Sequence, residues 1–395
     1  MAGAAPRGAG VSPAIPCRRP LTCGPAQVPP RQSSNPAAMS PRQRFLQIAS
    51  GARKGDLFLP FNLNYAWFMD ETLERWRREG LPADVDLCEH FGFQKIGFMG
   101  GAPYSLIPAF EEVVLAEDAE TRTVRDGSGV TYRIFKQDGA SKMPQWLDYS
   151  VKSREDWNAL KKRLDPTSPE RYAGLLETSP GDVGRDYPLG FAPGSFFGHT
   201  LQKWVGTERL CLWFYDEPAL VEEMLDYLEF FFLELAGRFL GKIDFDFASF
   251  GEDIAYKGRA FLSPAMFRRF LQPHYIRICE RMRASGIETI FVDSDGYIDE
   301  LIPLWMQVGV NAFSPLEVAA GEDAAKLKRE YGDAIVLAGN VDKRLLARGR
   351  KAIDGEVARI KPILDEGGYF PAVDHSVPPD VSYDDFRYFL DKLRA

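Results

Sequence analysis

The stretch 288–310, ETIFVDSDGYIDELIPLWMQVGV, decides how the chain is interpreted. It begins with the short apolar run 289–292, which predicts a buried β-strand, and continues with apolar residues spaced along one helix face. Val310 begins another apolar run, so the stretch is one strand–helix–strand unit. Asp293 and Asp295 directly follow the strand, at the end where α/β barrels and open α/β sheets keep their active sites.

Asp293 and Asp295 are two residues apart, so their side chains share a face if the strand continues. Two such carboxylates repel each other, and one should take up a proton unless a cation or a buried donor separates them. The pair is therefore a candidate metal site, a site for a substrate amine or an acid–base pair. The alternative is a turn and helix cap, because Asp and Gly are also favoured at such corners.

The composition limits the classes of protein to consider. The 395 residues are 45% hydrophobic, enough for a large core, and no apolar run approaches the ~18 residues of a membrane span. The net charge is −8 and no basic stripe is present, so we expect neither nucleic acid nor an anionic membrane as a partner. The five Cys form no CxxC motif, which predicts reduced thiols in a cytoplasmic protein.

Residues 1–38 differ from the rest of the chain. They contain four Arg but no Asp or Glu, and they are rich in Ala, Pro and Gly. Such a segment cannot bury a core, so we expect a disordered extension followed by one domain at 39–395. We expect Met39 to be the natural start, because Ser40 and Pro41 then form the cap and first position of a helix.

Short apolar runs recur along this domain, and helical patterns separate most of them. Eight runs are candidate strands, beginning near Leu57, Lys95, Leu189, Asp244, Glu288, Val310, Ile335 and Gly368. Alternating strands and helices predict a parallel sheet, and eight such units predict an α/β fold of the (β/α)8 TIM-barrel type. Residues 111–136 interrupt the alternation, and the turn signal at Asp126 and Gly127 predicts an inserted antiparallel hairpin.

Polar side chains follow the predicted strands, at the end that carries the chemistry in a barrel. The catalytic candidates are Asp293, Asp295 and His375. The candidates for substrate contact are Asn62, Tyr65, Tyr256, Glu317 and Asn340. Together with Glu252, the catalytic candidates supply mostly oxygen ligands and one nitrogen, which suits Zn, Mn or Mg. The same set also suits a positively charged or polyhydroxylated substrate, so both kinds of site stay open.

Several segments resemble the uroporphyrinogen decarboxylase superfamily. Residues 253–257, DIAYK, and 261–268, FLSPAMFR, resemble its D-x-x-Y-K … L-S-P-x-x-F segment. The strand–SxG–helix at 291–302 and the closing strand that begins with Gly367, Gly368 and Tyr369 resemble it too, and the likeness extends over about 40–395. The resemblance implies a (β/α)8 barrel from a superfamily of tetrapyrrole decarboxylases and corrinoid-dependent methyltransferases.

The loop after the first strand separates the branches of this superfamily. True decarboxylases carry an Arg-rich R-Q-A-G-R-Y loop there, whereas residues 61–67 read FNLNYAW, without Arg. An acidic mouth without these cations is unfavourable for a porphyrinogen with its many carboxylates. His375, in the sequence DHSV, resembles the His of the decarboxylases' G-H-G-I motif. Uroporphyrinogen decarboxylation in porphyrin biosynthesis therefore stays an alternative.

The zinc-binding positions of the thiol-methylating members also differ. Those enzymes hold zinc through a His-x-Cys, where this chain has Asp293 and Asp295, and through a Cys near the position of His375. The resemblance therefore implies a methyltransferase-like enzyme that acts on a small substrate with a folate-type carrier or a corrinoid on a partner protein. A divalent metal such as Zn is a candidate cofactor. A non-catalytic binding barrel and a homodimer also stay open.

Overall fold

The computed structural model describes residues 39–61, 68–99, 104–136, 144–172 and 185–395. The chain divides into the units Met1–Ala38 and Met39–Ala395, and every described residue belongs to the second. The predicted extension at 1–38 lies outside the described residues, as do the predicted substrate contacts Asn62 and Tyr65.

Fifteen strands are present in the described part of the chain. In chain order they are β1 (Pro60–Phe61), β2 (Gln94–Lys95), β3 (Gly97–Met99), β4 (Val113–Glu117), β5 (Thr121–Arg125), β6 (Thr131–Phe135), β7 (Gln145–Asp148), β8 (Leu189–Phe191), β9 (Phe247–Gly251), β10 (Ala255–Tyr256), β11 (Arg259–Ala260), β12 (Thr289–Asp293), β13 (Ala312–Ser314), β14 (Val336–Val341) and β15 (Tyr369–Val373).

The α-helices surround these strands. In chain order they are α1 (Pro41–Ala49), α2 (Asp70–Arg78), α3 (Leu87–His90), α4 (Arg154–Lys161), α5 (Lys203–Val205), α6 (Thr207–Asp216), α7 (Pro218–Ala236), α8 (Pro264–Met266), α9 (Gln272–Arg283), α10 (Ile302–Gln307), α11 (Ala324–Tyr331), α12 (Lys343–Leu346), α13 (Arg350–Glu366) and α14 (Tyr383–Arg394). Two π-helical segments, Phe197–Gln202 and Phe267–Leu271, precede α5 and α9. No helix in the described part of the chain is long and apolar enough to cross a membrane.

The parallel strands follow one another in chain order around the sheet. One parallel ladder contains seven strands, in the order β3, β8, β9, β12, β13, β14 and β15. Strand β2, which directly precedes β3 in the chain, pairs in parallel with β1. The segment after β1 lies beside the end of β15, because Phe68 bridges Val377 and Thr72 Oγ1 donates to Val377 O at 2.7 Å. The eight predicted strands are therefore present in the predicted order, and the (β/α)8 prediction is confirmed.

The barrel interior is a cluster of buried apolar side chains. Successive strand residues point to opposite faces, so Phe247, Phe291 and Phe370 fill the interior while their neighbours pack against the helices. Helix α1 packs against this cluster: the Phe45 ring stacks on Phe370, with centroids 4.9 Å apart, and lies 5.1 Å from Phe247. The first helix of the domain is thus part of the barrel core.

The inserted segment is larger than the predicted hairpin. The turn at Asp126 and Gly127 joins β5 and β6, as predicted. Strands β4 and β7 pair outside them, so the insertion is a four-stranded antiparallel sheet. Strand β7 is exposed at all four residues and lacks the apolar–polar alternation by which a half-buried strand is recognised in a sequence.

The helix predicted after Asp293 and Asp295 begins later than the apolar pattern indicates. It is α10, its N-cap residue is Leu301, and the Leu301 side chain makes no capping hydrogen bond. Asp295, the nearer of the two aspartates, lies before Gly296, whose φ of 89° is that of a turn, and is separated in the chain from the start of this helix.

Replacing Phe45 with Ala should lower the free energy of unfolding by about 3–5 kcal/mol, because its ring is fully buried among the rings of the barrel. Urea unfolding measures the change. Leu46→Ala, in the same helix, is the matched control: this side chain is 37% exposed, and its loss should cost about 1 kcal/mol or less. Equal losses for the two variants would contradict the role of Phe45.

A chain that begins at Met39 should melt at the same temperature as the full chain. Ser40 Oγ accepts a hydrogen bond from Gln43 N at 3.2 Å and Pro41 opens the helix, so α1 keeps its cap without residues 1–38. Differential scanning calorimetry compares the two chains. A melting temperature several degrees lower for the shorter chain would show that residues 1–38 contribute to folding.

Candidate functional site

The carboxyl ends of β9 and β12 bring two aspartates together at the barrel mouth. Asp295 N donates to Asp253 Oδ1 at 3.3 Å. Each carboxylate also faces a histidine: His199 Nε2 lies 3.6 Å from Asp253 Oδ2, and His375 Nε2 lies 3.3 Å from Asp295 Oδ2. The four residues form a continuous row, His199–Asp253–Asp295–His375, in which the backbone N–H of Asp295 links the two aspartates. We call it the mouth row.

Strand alternation explains why Asp253, and not Glu252, faces the mouth. Phe247 points into the barrel, so Gly251 and Asp253 fall on the same side at a period of two, whereas Glu252 falls on the helix side. A Cβ at Gly251 would meet His199 Cδ2 at 3.0 Å, so the glycine leaves space for the imidazole. Asp253 has a φ of 40°, in the left-handed region, which Asp adopts more readily than most non-glycine residues.

Glu252 does not join the other predicted metal ligands. Its side chain is fully buried, and its two carboxylate oxygens accept hydrogen bonds from Phe196 N and Phe197 N, both at 2.8 Å. Burial raises the pKa of Glu252, and the Tyr275 hydroxyl and the two amide N–H groups oppose this rise. The structure thus places Glu252 in the helix layer and apart from Asp295 and His375, because of the alternation of β9.

Asp293 ends β12 on the same face as Phe291, which points into the barrel. Its Oδ1 accepts a hydrogen bond from Ser314 Oγ at 3.3 Å, on the neighbouring strand β13. Asp293 therefore lies at the top of the barrel interior, beside the mouth row. The structure brings Asp295 and His375 into contact, as the sequence predicts.

The described donor set does not fit a metal ion. Among residues 39–61, 68–99, 104–136, 144–172 and 185–395, no three His, Cys, Asp or Glu side chains converge in a metal-binding arrangement. The described thiols, Cys88, Cys211 and Cys279, all lie in helices. A thiolate site of the kind found in the thiol-methylating relatives is therefore not formed by these residues.

Glu317 connects the turn after β12 to the start of α12. Its Oε2 accepts a hydrogen bond from Gly296 N at 3.0 Å, and its Oε1 accepts one from Lys343 Nζ at 3.2 Å. The predicted substrate contact Glu317 is thus partly engaged by the protein. It holds Gly296, the residue after Asp295, and it neutralises a lysine at the same end of the barrel.

Asp374 makes a similar connection on the other side of the mouth. Its two carboxylate oxygens accept hydrogen bonds from Lys343 N at 3.2 Å and Val318 N at 3.0 Å. Burial raises the pKa of Asp374 to about 6, and Lys343 and the two amides oppose the rise. These contacts hold Asp374 in place, and Asp374 directly precedes His375 in the chain.

Asn340 is a structural residue and not the predicted substrate contact. Its side chain is fully buried; its amide donates to Leu316 O at 2.9 Å and Glu322 O at 3.1 Å, and its oxygen accepts from Arg359 Nη1 at 3.0 Å. Its φ of 62° departs from strand geometry, so the alternation of β14 does not extend to it.

Tyr256 also lies apart from the mouth row. It is 47% exposed and lines a groove of about 760 Å³ together with Tyr297 and Arg259. None of the four side chains of the mouth row lines this groove. The structure therefore supports Tyr256 as a surface contact and not as a neighbour of the reacting groups.

The candidate site residues taken from the sequence do not include His199, Asp253 or Lys343, although Asp253 begins the segment DIAYK that resembles the superfamily. Phe247 and Phe250 lie on opposite faces of β9 and both are buried, so the sequence alone does not decide whether Asp253 or Glu252 faces the mouth. No comparable signal identifies His199, because the π-helix that contains it has no clear sequence signature.

Replacing Asp374 with Asn should remove part of the pH dependence of the unfolding free energy between about pH 4 and 6. The pKa of Asp374 rises from 3.8 to about 6 on folding, so the folded protein binds a proton that the unfolded chain releases. Ionisation of this group therefore removes at most about 3 kcal/mol of stability as the pH rises through this range, and Asn cannot ionise.

Urea unfolding over a pH series measures the difference between wild type and Asp374→Asn. Asp365→Asn is the control, because Asp365 is exposed near the end of α13, before β15 begins. It should keep the wild-type dependence. If Asp374→Asn also keeps it, Asp374 does not carry the raised pKa.

Comparisons with known proteins agree with this architecture. A model of the family described as uroporphyrinogen decarboxylase (URO-D) matches residues 190–395, which include the whole mouth row. A methyltransferase from Methanosarcina mazei has the same fold, with a TM-score of 0.54 over 90% of this chain and 99% of that chain at 15% sequence identity. No curated protein matches the chain. The family model matches more than half of the 395 residues of the chain. The chain therefore belongs to the uroporphyrinogen decarboxylase (URO-D) family.

Proposed function

We propose that this protein is a methyltransferase-like enzyme whose reaction takes place at the mouth row. The observation that carries the proposal is the contact between Asp253 and Asp295. Burial raises the pKa of Asp253, His199 opposes the rise and the charge of Asp295 adds to it. A carboxyl group that keeps its proton to higher pH than a free Asp can serve as a general acid.

A general acid suits the transfer of a methyl group away from nitrogen or oxygen. The bond from the methyl carbon to the heteroatom breaks, and the heteroatom leaves with the electron pair. A proton from Asp253 neutralises the charge on the leaving heteroatom, and the adjacent His199 can return a proton to Asp253. A corrinoid or folate-type carrier, when bound, would supply the nucleophile that accepts the methyl group.

The charges around the mouth favour a small cationic or hydroxylated methyl donor. Asp253, Asp293 and Asp295 place three carboxyl groups near the reaction centre, and Lys343 at the same end is already paired with Glu317. An ammonium group elsewhere in the donor, or several hydroxyl groups, would compensate these carboxyl groups, whereas an anionic substrate would be repelled. The methylated atom itself is then an uncharged ether oxygen or amine nitrogen, which leaves with a negative charge and needs the proton of Asp253.

Decarboxylation of uroporphyrinogen is the second candidate. The matching family model is that of the decarboxylases, and the acid in the mouth row could protonate the carbon that loses carbon dioxide. The charges disfavour it: residues 61–67 contain no Arg, and the mouth row contains two carboxyl groups where the substrate would need cations.

Replacing Asp253 with Asn should lower the rate of methyl transfer on the order of 100-fold, because Asn cannot donate the proton. The assay supplies cob(I)alamin with a panel of methylated amines and methyl ethers, and follows methylcobalamin formation by absorbance. The wild-type rate should fall as the pH rises through the pKa of Asp253, since a higher pH removes the proton. Asp365→Asn, at an exposed position away from the mouth row, should stay within about two-fold of wild type.

The outcomes separate the candidate functions. Wild-type conversion of uroporphyrinogen to coproporphyrinogen, without methyl transfer, would replace the proposal by decarboxylation. Methyl transfer that is unchanged in Asp253→Asn would remove Asp253 from the chemistry. Binding of a donor without turnover in any assay would favour a non-catalytic barrel.

A further inference from the structure

Glu252 makes three hydrogen bonds to one short segment of the chain. Its carboxylate accepts from Phe196 N and Phe197 N at 2.8 Å and from Ser195 Oγ at 3.3 Å, and the side chain is fully buried. These donors lie directly before and at the start of the π-helix Phe197–Gln202. First-turn amide groups have no partner within their own helix, so the carboxylate supplies the acceptors that they lack.

The same segment carries His199 into the mouth row. Ser195 Oγ accepts a hydrogen bond from His199 N at 3.1 Å while it donates to Glu252, so one hydroxyl links the carboxylate to the backbone of the histidine. A Cβ at Gly198 would lie 2.2 Å from Glu252 O, so the π-helix rests directly on the backbone of Glu252. Single π-helical turns occur frequently at functional sites, where they change the direction of a side chain.

Glu252 and Asp253 are consecutive and act on opposite faces of the end of β9. Glu252 holds the segment that carries His199 from the helix side, and Asp253 meets the His199 ring from the mouth side, at 3.6 Å. A shift of Glu252 therefore changes both the position of the π-helix and the distance between the two ionisable groups.

We propose that Glu252 is a positioning residue that holds the π-helix so that His199 stays beside Asp253. The inference rests on the proposed function for its kinetic consequence, but the placement of His199 can be measured without any activity. Glu252 touches none of the reacting groups, so it acts through Ser195 and the π-helix.

The test compares Glu252→Gln and Ser195→Ala with the matched control Glu229→Gln. Gln keeps the size of Glu252 but presents an N–H group to one of the two backbone amides; Ser195→Ala breaks the same connection without a change of charge. Glu229 is also buried and also binds a histidine, His274, at 2.5 Å, but it lies on α7 outside the mouth row.

Nuclear magnetic resonance of the chain with ¹³C-labelled histidine gives the direct readout, since the chain has only four His. Replacing each His with Gln assigns the signals. Glu252→Gln and Ser195→Ala should both shift the His199 signal and leave that of His90 unchanged; the His274 signal should move less than that of His199, because its ring lies 5.5 Å from the ring of Phe196. Glu229→Gln should shift the His274 signal more than that of His199.

Kinetics give the second readout. A displaced His199 should lower kcat by up to about 100-fold in Glu252→Gln, with little change in KM. The double variant Glu252→Gln, His199→Gln should be no slower than His199→Gln alone, because both changes remove the same interaction. Glu229→Gln should lower the melting temperature but keep the wild-type kcat.

The inference is overturned if folded Ser195→Ala or Glu252→Gln leaves the His199 signal in place, or if the losses of the two single variants multiply in the double variant. If Glu252→Gln does not fold, Ser195→Ala decides between these outcomes. If the wild-type protein transfers no methyl group, the proposed function fails, and the histidine signals still decide whether Glu252 positions His199.

Discussion

The alternation of side chains along the parallel strands is the constraint on which the structure depends. An eight-stranded barrel has one interior, and here Phe247, Phe291 and Phe370 fill it while Phe45 packs against it from α1. The aromatic rings fix which face of each strand points inward. They therefore also fix which residue points into the mouth where the strand ends, two or more positions later. Core packing and site geometry are consequently set by the same residues.

This constraint explains what the sequence could and could not predict. The eight strands were predictable because fully buried parallel strands are short continuous apolar runs between helical patterns. The choice between Glu252 and Asp253 needs the inward face of β9, which a run such as DFDFASF does not reveal when both faces are apolar. Asn340, expected from the sequence to contact a substrate, is buried for a different reason. Its backbone is left-handed, which ends the alternation of β14 at that position, and the sequence carries no signal for this backbone conformation.

Contacts within one segment were easier to predict than contacts between segments. The cap of α1 by Ser40 and the start of α8 after Ser263 follow from neighbouring residues, and both appear in the structure. The row from His199 to His375 depends on four strand ends that are far apart in the chain: β8, β9 and β12 are neighbours in the sheet, whereas β13 and β14 lie between β12 and β15. Asp295 and His375 could be predicted to approach because both follow strands, but the link to His199 required the π-helix.

The carboxyl groups around the mouth divide by the kind of partner that they meet. Glu252 and Asp374 each accept two backbone N–H groups, which orders the chain but leaves no oxygen directed at a substrate. Glu322 is likewise buried, and burial raises its pKa to about 8 where it accepts from Ile298 N, away from the mouth row. A raised pKa alone therefore does not identify a catalytic acid in this protein.

Asp253 differs from these groups in its surroundings and not only in its pKa. Its side chain is 39% exposed, its oxygens face Asp295 N and the His199 ring, and its neighbouring histidine is itself open to solvent. A proton on Asp253 can therefore be exchanged with a substrate and replaced from water, whereas a proton on Glu252 or Glu322 is enclosed by the core. Access to solvent beside a histidine that can return the proton is the property that a general acid requires. Among these carboxyl groups, that combination makes Asp253 the strongest candidate for the chemistry of the mouth row.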